Sequence, residues 1–251
     1  MTPATPLGVI AGTGFYALAD LDDAREEVFA TAYGPARAIV GVLHGRSTIF
    51  LSRHGTDHSV PPHRINYRAN IQALHDAGVQ DILAVNVVGG IDLDSGALVV
   101  VDDFLDFTKG RTSTFFDGDG ASTGVVHVDV SAPYDERLRR AWIDAAATMG
   151  VAVVPEGIYA CFDGPRFETK AEIRMARAAG ADVVGMTGVP EVVLAIERGM
   201  AYSAICLVAN PAAGLGSVPI SVDDVNAVVA AGAATVQGLL VAAAADLGGA
   251  R

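Results

Sequence analysis

Four times in this chain a helix-like segment closes on glycine and passes into a short apolar run: ALHDAGVQDILAVN, AATMGVAVVPEGIYAC, ARAAGADVVGMT and AIERGMAYSAICLVAN. Glycine readily takes the left-handed conformation that ends a helix, and a short Val/Ile-rich run reads as a strand covered on both faces. This alternation constrains the fold more than any other feature. It predicts an α/β domain with a central, largely parallel or mixed sheet flanked by helices. The intervals differ, so the phrase is architecture and not a solenoid repeat. A final helix is predicted from Ser221, with Asp224 placed as in a capping box, to about Leu247. GLGSVPI before it is flexible enough to serve as a lid. No charge run or low-complexity linker divides the chain, so residues 1–251 read as one domain.

Open α/β sheets bind ligands beyond the carboxyl ends of their strands. Polar residues fall there: Thr13 after the first strand, Arg53-His54 after a hairpin, then Asn86, Met186-Thr187 and Asn210. Five such ends converging on one side predict a cleft lined with hydrogen-bond donors.

At 251 residues with 51% hydrophobic content the chain can bury one sizeable core. Its formal charge of −12 leaves no basic stripe, which argues against nucleic acid and anionic membranes as partners. The alanine-rich tail is interrupted by Gln237, Asp246 and glycines, so no membrane span is expected and a cytoplasmic setting is. Cys161 and Cys206 lie in apolar runs and are expected to be buried free thiols, with no metal site.

GVIAGTGFYAL near the N-terminus spells G-x-G-x-x-A, the dinucleotide fingerprint. That fingerprint requires a helix next and then a strand ending in an acid about 20 residues on. Here an acidic stretch follows, and then two apolar runs around His44-Gly45-Arg46 that read as a hairpin. NAD binding is therefore not expected; a loop holding free phosphate, or no ligand, remains.

LSRHGTDHSVPPH admits three readings. Arg53-His54 could be the nucleophilic pair of a histidine phosphatase, but it follows a whole hairpin and lacks a later partner segment. His54, His58 and His63 could ligate a metal, with Asp57 the only carboxylate nearby. A plain polar loop is the third. Joined to the glycine turn, Arg53 offers a two-pronged anion fork. Further on, Asp163-Gly164-Pro165 reads as a turn, with Glu168 at the start of a helix running to Gly180. A carboxylate there can simply complement the helix dipole.

GTG, RHG, NYRANI, VNVVGGI, GPRFETKAE, GADVVGMTGVPEV and the late VAN together resemble the trimeric purine nucleoside phosphorylase and methylthioadenosine phosphorylase family nearly end to end. The resemblance implies a single α/β domain with a central mixed sheet forming a distorted barrel. It also implies a homotrimer with active sites near subunit interfaces and no metal or cofactor, with inorganic phosphate as co-substrate. The implied reaction is reversible phosphorolysis of a purine nucleoside to free base and pentose 1-phosphate.

Carried over residue by residue, the family's phosphate site falls on Thr13, Arg53, His54, Asn86, Val87 and Thr187. Met186 lies beneath the ribose, His58 near the same site, and Phe167 beside the base. Val87-Val88 departs from relatives that commonly carry alanine there. Breaking the glycosidic bond builds positive charge on the sugar and negative charge on the purine. Arg53, His54 and the hydroxyls would hold the anionic nucleophile, and Asn210 would donate toward N7 or O6 of the leaving base.

In this family 6-oxopurine members carry the Glu and Asn found here at Glu168 and Asn210, whereas methylthioadenosine members carry Ser and Asp. A carboxylate suits the N1–H of hypoxanthine or guanine and faces a lone pair on adenine. At the 5′ end, Val222 and Val225 match the valines of methylthioadenosine members, and His127 matches a residue contributed by the neighbouring subunit. That combination, with NPAAG after the strand, is similar to bacterial methylthioinosine phosphorylases. A general inosine/guanosine phosphorylase, a methylthioadenosine phosphorylase and a hydrolytic nucleosidase are the alternatives.

Overall fold

The structure, a computed structural model, describes residues 5–15, 18, 20–55, 59–118 and 125–249. The first apolar run is β1 (Leu7–Ala11), and the acidic stretch leads into β2 (Asp22–Thr31), an exposed edge strand. Charges on β2 guard an edge that would otherwise invite another chain to pair. β3 (Gly34–Leu43) and β4 (Arg46–Ser52) form the expected hairpin, turning through His44 at φ 48° and Gly45 at φ 75°. Two left-handed residues in succession match the twist of the paired strands.

Helices α1 (Tyr67–Asp76), α2 (Glu136–Met149), α3 (Lys170–Ala178) and α4 (Gly188–Glu197) each end just before a glycine of the recurring phrase. Strands follow three of them: β5 (Asp81–Gly90) after α1, β9 (Val183–Gly185) after α3 and β10 (Ala201–Pro211) after α4. After α2 the outcome differs. Val154 makes an isolated bridge to Val99, and regular strand resumes only at β8 (Ile158–Cys161). Pro155 has no N–H to donate and interrupts the ladder between them. With β6 (Leu98–Val100) and β7 (Asp103–Asp106) the sheet has ten strands among the described residues, parallel and antiparallel mixed.

Helices cover both faces. α1 and α4 pack on one side, and α2 and α5 (Val222–Gly249) on the other. β10 shows why its run is mostly apolar: Tyr202, Ala204, Cys206 and Val208 enter the first layer, and Ile205, Leu207 and Ala209 the second. Cys161 and Cys206 are both buried and unbridged.

α5 corrects one expectation. The tail read as too broken to span a bilayer is a single 28-residue helix whose apolar window reaches a mean hydropathy of 1.9, long and apolar enough to cross one. In this fold it lays Val229, Val236, Leu239 and Leu240 into the core beside α2 and β10. The glycine turn depends on the same helix. Gly14 has φ +79°, and a Cβ there would lie 2.2 Å from Val229 Cγ1.

The sheet branches at β5. Asp81–Ala84 pair with β1, Gly89 and Gly90 pair with β9, and β10 runs along the opposite edge. From Val85 to Val88 neither β1 nor β9 lies alongside, and the sheet opens there.

Candidate active site

Beside that opening lies a cavity of about 720 Å³. Asn86 and Val87 line it from β5, Thr13 from the turn after β1, and Arg53 and His54 from the loop after β4. Met186 and Thr187 come from the link between β9 and α4, and Asn210 from near the end of β10. Phe167 and Glu168 precede α3, and Val222 and Val225 open α5. His58 lies outside the described residues. His127 is exposed and forms no part of this wall. Asn86 does not end its strand as expected; β5 continues to Gly90.

Arg53 is placed differently from the expected free fork. Its Nε and Nη2 each donate to the Glu191 carboxylate at 2.7 Å, and its Nη1 donates to the Val85 carbonyl at 2.7 Å. That carbonyl can accept because the pairing of β5 with β1 stops at Ala84. The Tyr202 hydroxyl adds a 2.6 Å bond to Glu191. Both members of the ion pair are buried, their side chains 0% and 1% exposed. Burial works against the guanidinium's charge, but the neighbouring carboxylate outweighs it and holds the pKa above an ordinary arginine's. Of five guanidinium N–H groups, only those left on Nη1 and Nη2 can face the cavity. Glu191 had no sequence signal beyond an acid in the first turn of a helix.

His54 Nδ1 donates to the Val60 carbonyl at 2.7 Å, which leaves Nε2 as the nitrogen beside the glycine turn. Thr187 donates its hydroxyl to Asn86 Oδ1 at 3.2 Å, joining two of the nominated phosphate contacts. The alternation of a strand sends the backbone N–H of Val87 to the same side as the Val85 carbonyl, into the opening.

Glu168 is not at the start of a helix. α3 begins at Lys170 behind a Thr169–Glu172 capping box, so Glu172 takes the N-terminal role and Glu168 turns inward. It is 8% exposed, and its Oε1 is buried without a hydrogen-bond partner among the described residues. Burial raises its pKa above the usual carboxylate value. Asn210 reaches the same cavity through a β-bulge. The register slips between Val208 and Asn210, which brings Asn210 opposite Gly89. Asn226, missed in the sequence, stands one helical turn beyond Val222 and lines the same wall.

A carboxyl group whose pKa is raised by folding takes up its proton more readily folded than unfolded. Its penalty is absent below the ordinary carboxylate value and complete above the raised one. Glu168→Gln should therefore stabilise the ligand-free protein at pH 8, with the gain vanishing as pH falls into the carboxylate range. Urea unfolding across pH checks this; a pH-independent difference contradicts it.

The model of the phosphorylase superfamily matches residues 6–245. A probable 6-oxopurine nucleoside phosphorylase from Moorella thermoacetica is 48% identical, covering 87% of this chain and 84% of its own length. A probable S-methyl-5′-thioinosine phosphorylase from Xylella fastidiosa is 47% identical, covering 84% of this chain and 90% of its own length. Among solved structures, methylthioadenosine phosphorylase from Schistosoma mansoni in complex with adenine superimposes with a TM-score of 0.92 at 32% identity, over 99% of this chain and 93% of that one. The fold is thus shared with solved relatives, and the chain belongs to the phosphorylase superfamily.

Proposed function

We propose that this protein catalyses reversible phosphorolysis of a 6-oxopurine nucleoside, with 5′-deoxy-5′-methylthioinosine as the preferred substrate. The observation that carries the reading is the unpartnered Glu168 Oε1, buried in the cavity that also holds Asn210. A buried acceptor without a donor is costly, and the N1–H of hypoxanthine or guanine supplies that donor. Asn210 can donate to the base as negative charge develops on it. The link from Asn86 to Thr187, the Val87 N–H and the outward N–H groups of Arg53 would orient phosphate for attack at C1′. No cofactor enters this reaction, and inorganic phosphate is the co-substrate. Rates on inosine, guanosine, adenosine and methylthioinosine, with and without phosphate, test it. Base released without phosphate would make the protein a hydrolase.

Val222 is 63% exposed and, with Val225, offers an apolar wall for a thiomethyl group. Burying that group should favour methylthioinosine over inosine by about 10- to 200-fold in kcat/KM. Val222→Asp should erase or invert that preference while leaving base selectivity intact; equal kcat/KM in the wild type would remove the basis for the thiomethyl pocket. Asn226 favours a second reading, a general inosine/guanosine phosphorylase, because its carboxamide in the same wall could meet a 5′-hydroxyl. A homotrimer completes the proposal. His127 is exposed and away from its own cavity, as a residue serving a neighbouring subunit would be. Two buried, unbridged cysteines are in keeping with a cytoplasmic setting.

A further inference from the structure

Arg111 lies outside the cavity wall, yet its side chain is only 3% exposed. Its Nη2 donates to the carbonyls of Asp163 at 2.8 Å, Met186 at 2.7 Å and Phe162 at 3.3 Å. Its Nη1 donates to the Val189 carbonyl at 2.6 Å and the Tyr67 hydroxyl at 3.1 Å, and Nε lies 3.3 Å from the Asp163 carboxylate. Tyr67 in turn donates to the Pro62 carbonyl at 3.0 Å.

The acceptors of Arg111 and Tyr67 lie in three separate segments of the chain. Phe162 and Asp163 lead into Phe167 and Glu168; Met186 to Val189 hold the ribose and phosphate positions; Pro62 closes the loop after His54. The three meet at Gly164, whose φ is +61° and where a Cβ would lie 2.4 Å from Met186 Sδ and 3.4 Å from Pro62 Cγ. The β8–β9 ladder ends at the Phe162 N–H, which donates to the Gly185 carbonyl at 2.9 Å; beyond it Arg111 supplies the hydrogen bonds to Asp163, Met186 and Val189. A buried planar guanidinium can satisfy all these oxygens in one fixed arrangement; an ammonium has three donors and no such plane.

We infer that Arg111 is a positioning residue that holds the base-binding, ribose-binding and phosphate-side loops in register without touching substrate. The inference rests on the proposed phosphorolysis for the naming of the loops and for its turnover readout, whereas ligand binding reads the same loops without turnover. In R111K, calorimetry should show weaker binding of both hypoxanthine and inorganic phosphate. Its kcat/KM should fall roughly 10- to 100-fold at a temperature well below unfolding, as expected for misplacement of groups by about 1 Å. In R111A, millimolar guanidinium should restore part of the loss, which a general stability defect would not allow. An R111K protein that binds both ligands and turns over like wild type, or that only melts earlier, overturns the inference. A wild type that binds both ligands without turnover overturns the phosphorolysis reading and leaves the affinities of R111K to decide on Arg111. A wild type that binds neither overturns both.

Discussion

Asn210→Asp is expected to reverse the base preference of this protein. Asn210 and Glu168 share the cavity, and the carboxamide is the group there that can donate toward a 6-oxo oxygen or N7. An aspartate in its place presents an acceptor to an acceptor, and sets a second carboxylate beside one whose ionisation burial already disfavours. Against a 6-amino group the same aspartate is matched. Sites that hydrogen-bond a substrate group reject the unmatched analogue by up to ~10⁴–10⁵, so a swing of about 10²–10⁴ in the inosine to adenosine ratio of kcat/KM is expected. The bulge and Gly89 set the direction of residue 210, and neither changes in the variant. Steady-state rates on the two nucleosides measure the swing; a ratio unchanged from wild type would remove Asn210 from base recognition.

Glu191→Ala is expected to destabilise the fold by about 3–5 kcal/mol, the range for removing one partner of a buried pair. The variant leaves the Arg53 guanidinium in the core without its counter-charge and the Tyr202 hydroxyl without its acceptor. Arg53→Ala incurs a comparable cost by stranding Glu191, so an effect on the phosphate KM alone, as a free anion fork would give, is not expected. Combining Arg53→Met, Glu191→Met and Tyr202→Phe separates the two roles. Apolar replacement of a whole buried network is often neutral or stabilising, so stability should return while phosphate binding does not. Denaturant unfolding and the phosphate KM read the two effects. A loss below about 1 kcal/mol in Glu191→Ala would mean the pair contributes little to the fold.

The alternation of helix, glycine and apolar run was legible because each part is local. A helix ends where glycine can turn left-handed, as at Gly150 with φ 67°, and a strand buried on both faces reads as a nearly continuous apolar run. The hairpin at His44-Gly45 was legible for the same reason. The final helix was legible too, from Ser221 to about Leu247; what its neighbours decided is that its apolar length lies against α2 and β10. Local pattern failed at Glu168, which lies buried ahead of the helix it was read to open.

The site divides along the same line. Residue types and motif order determined which side chains gather: Arg53, Asn86, Glu168, Met186, Thr187 and Asn210 all reach one cavity. Only the tertiary structure decided what each is free to do. Arg53 and Glu191 are 138 positions apart in the chain, and Arg111 and Met186 are 75 apart. Composition and spacing carry no information about such pairs. A charged side chain brought into the core must find its counter-charge or acceptors wherever the fold has placed them. For Arg53 that partner is a carboxylate on α4, for Arg111 the carbonyls of residues that follow the β8–β9 ladder, and for Glu168 Oε1 no group among the described residues.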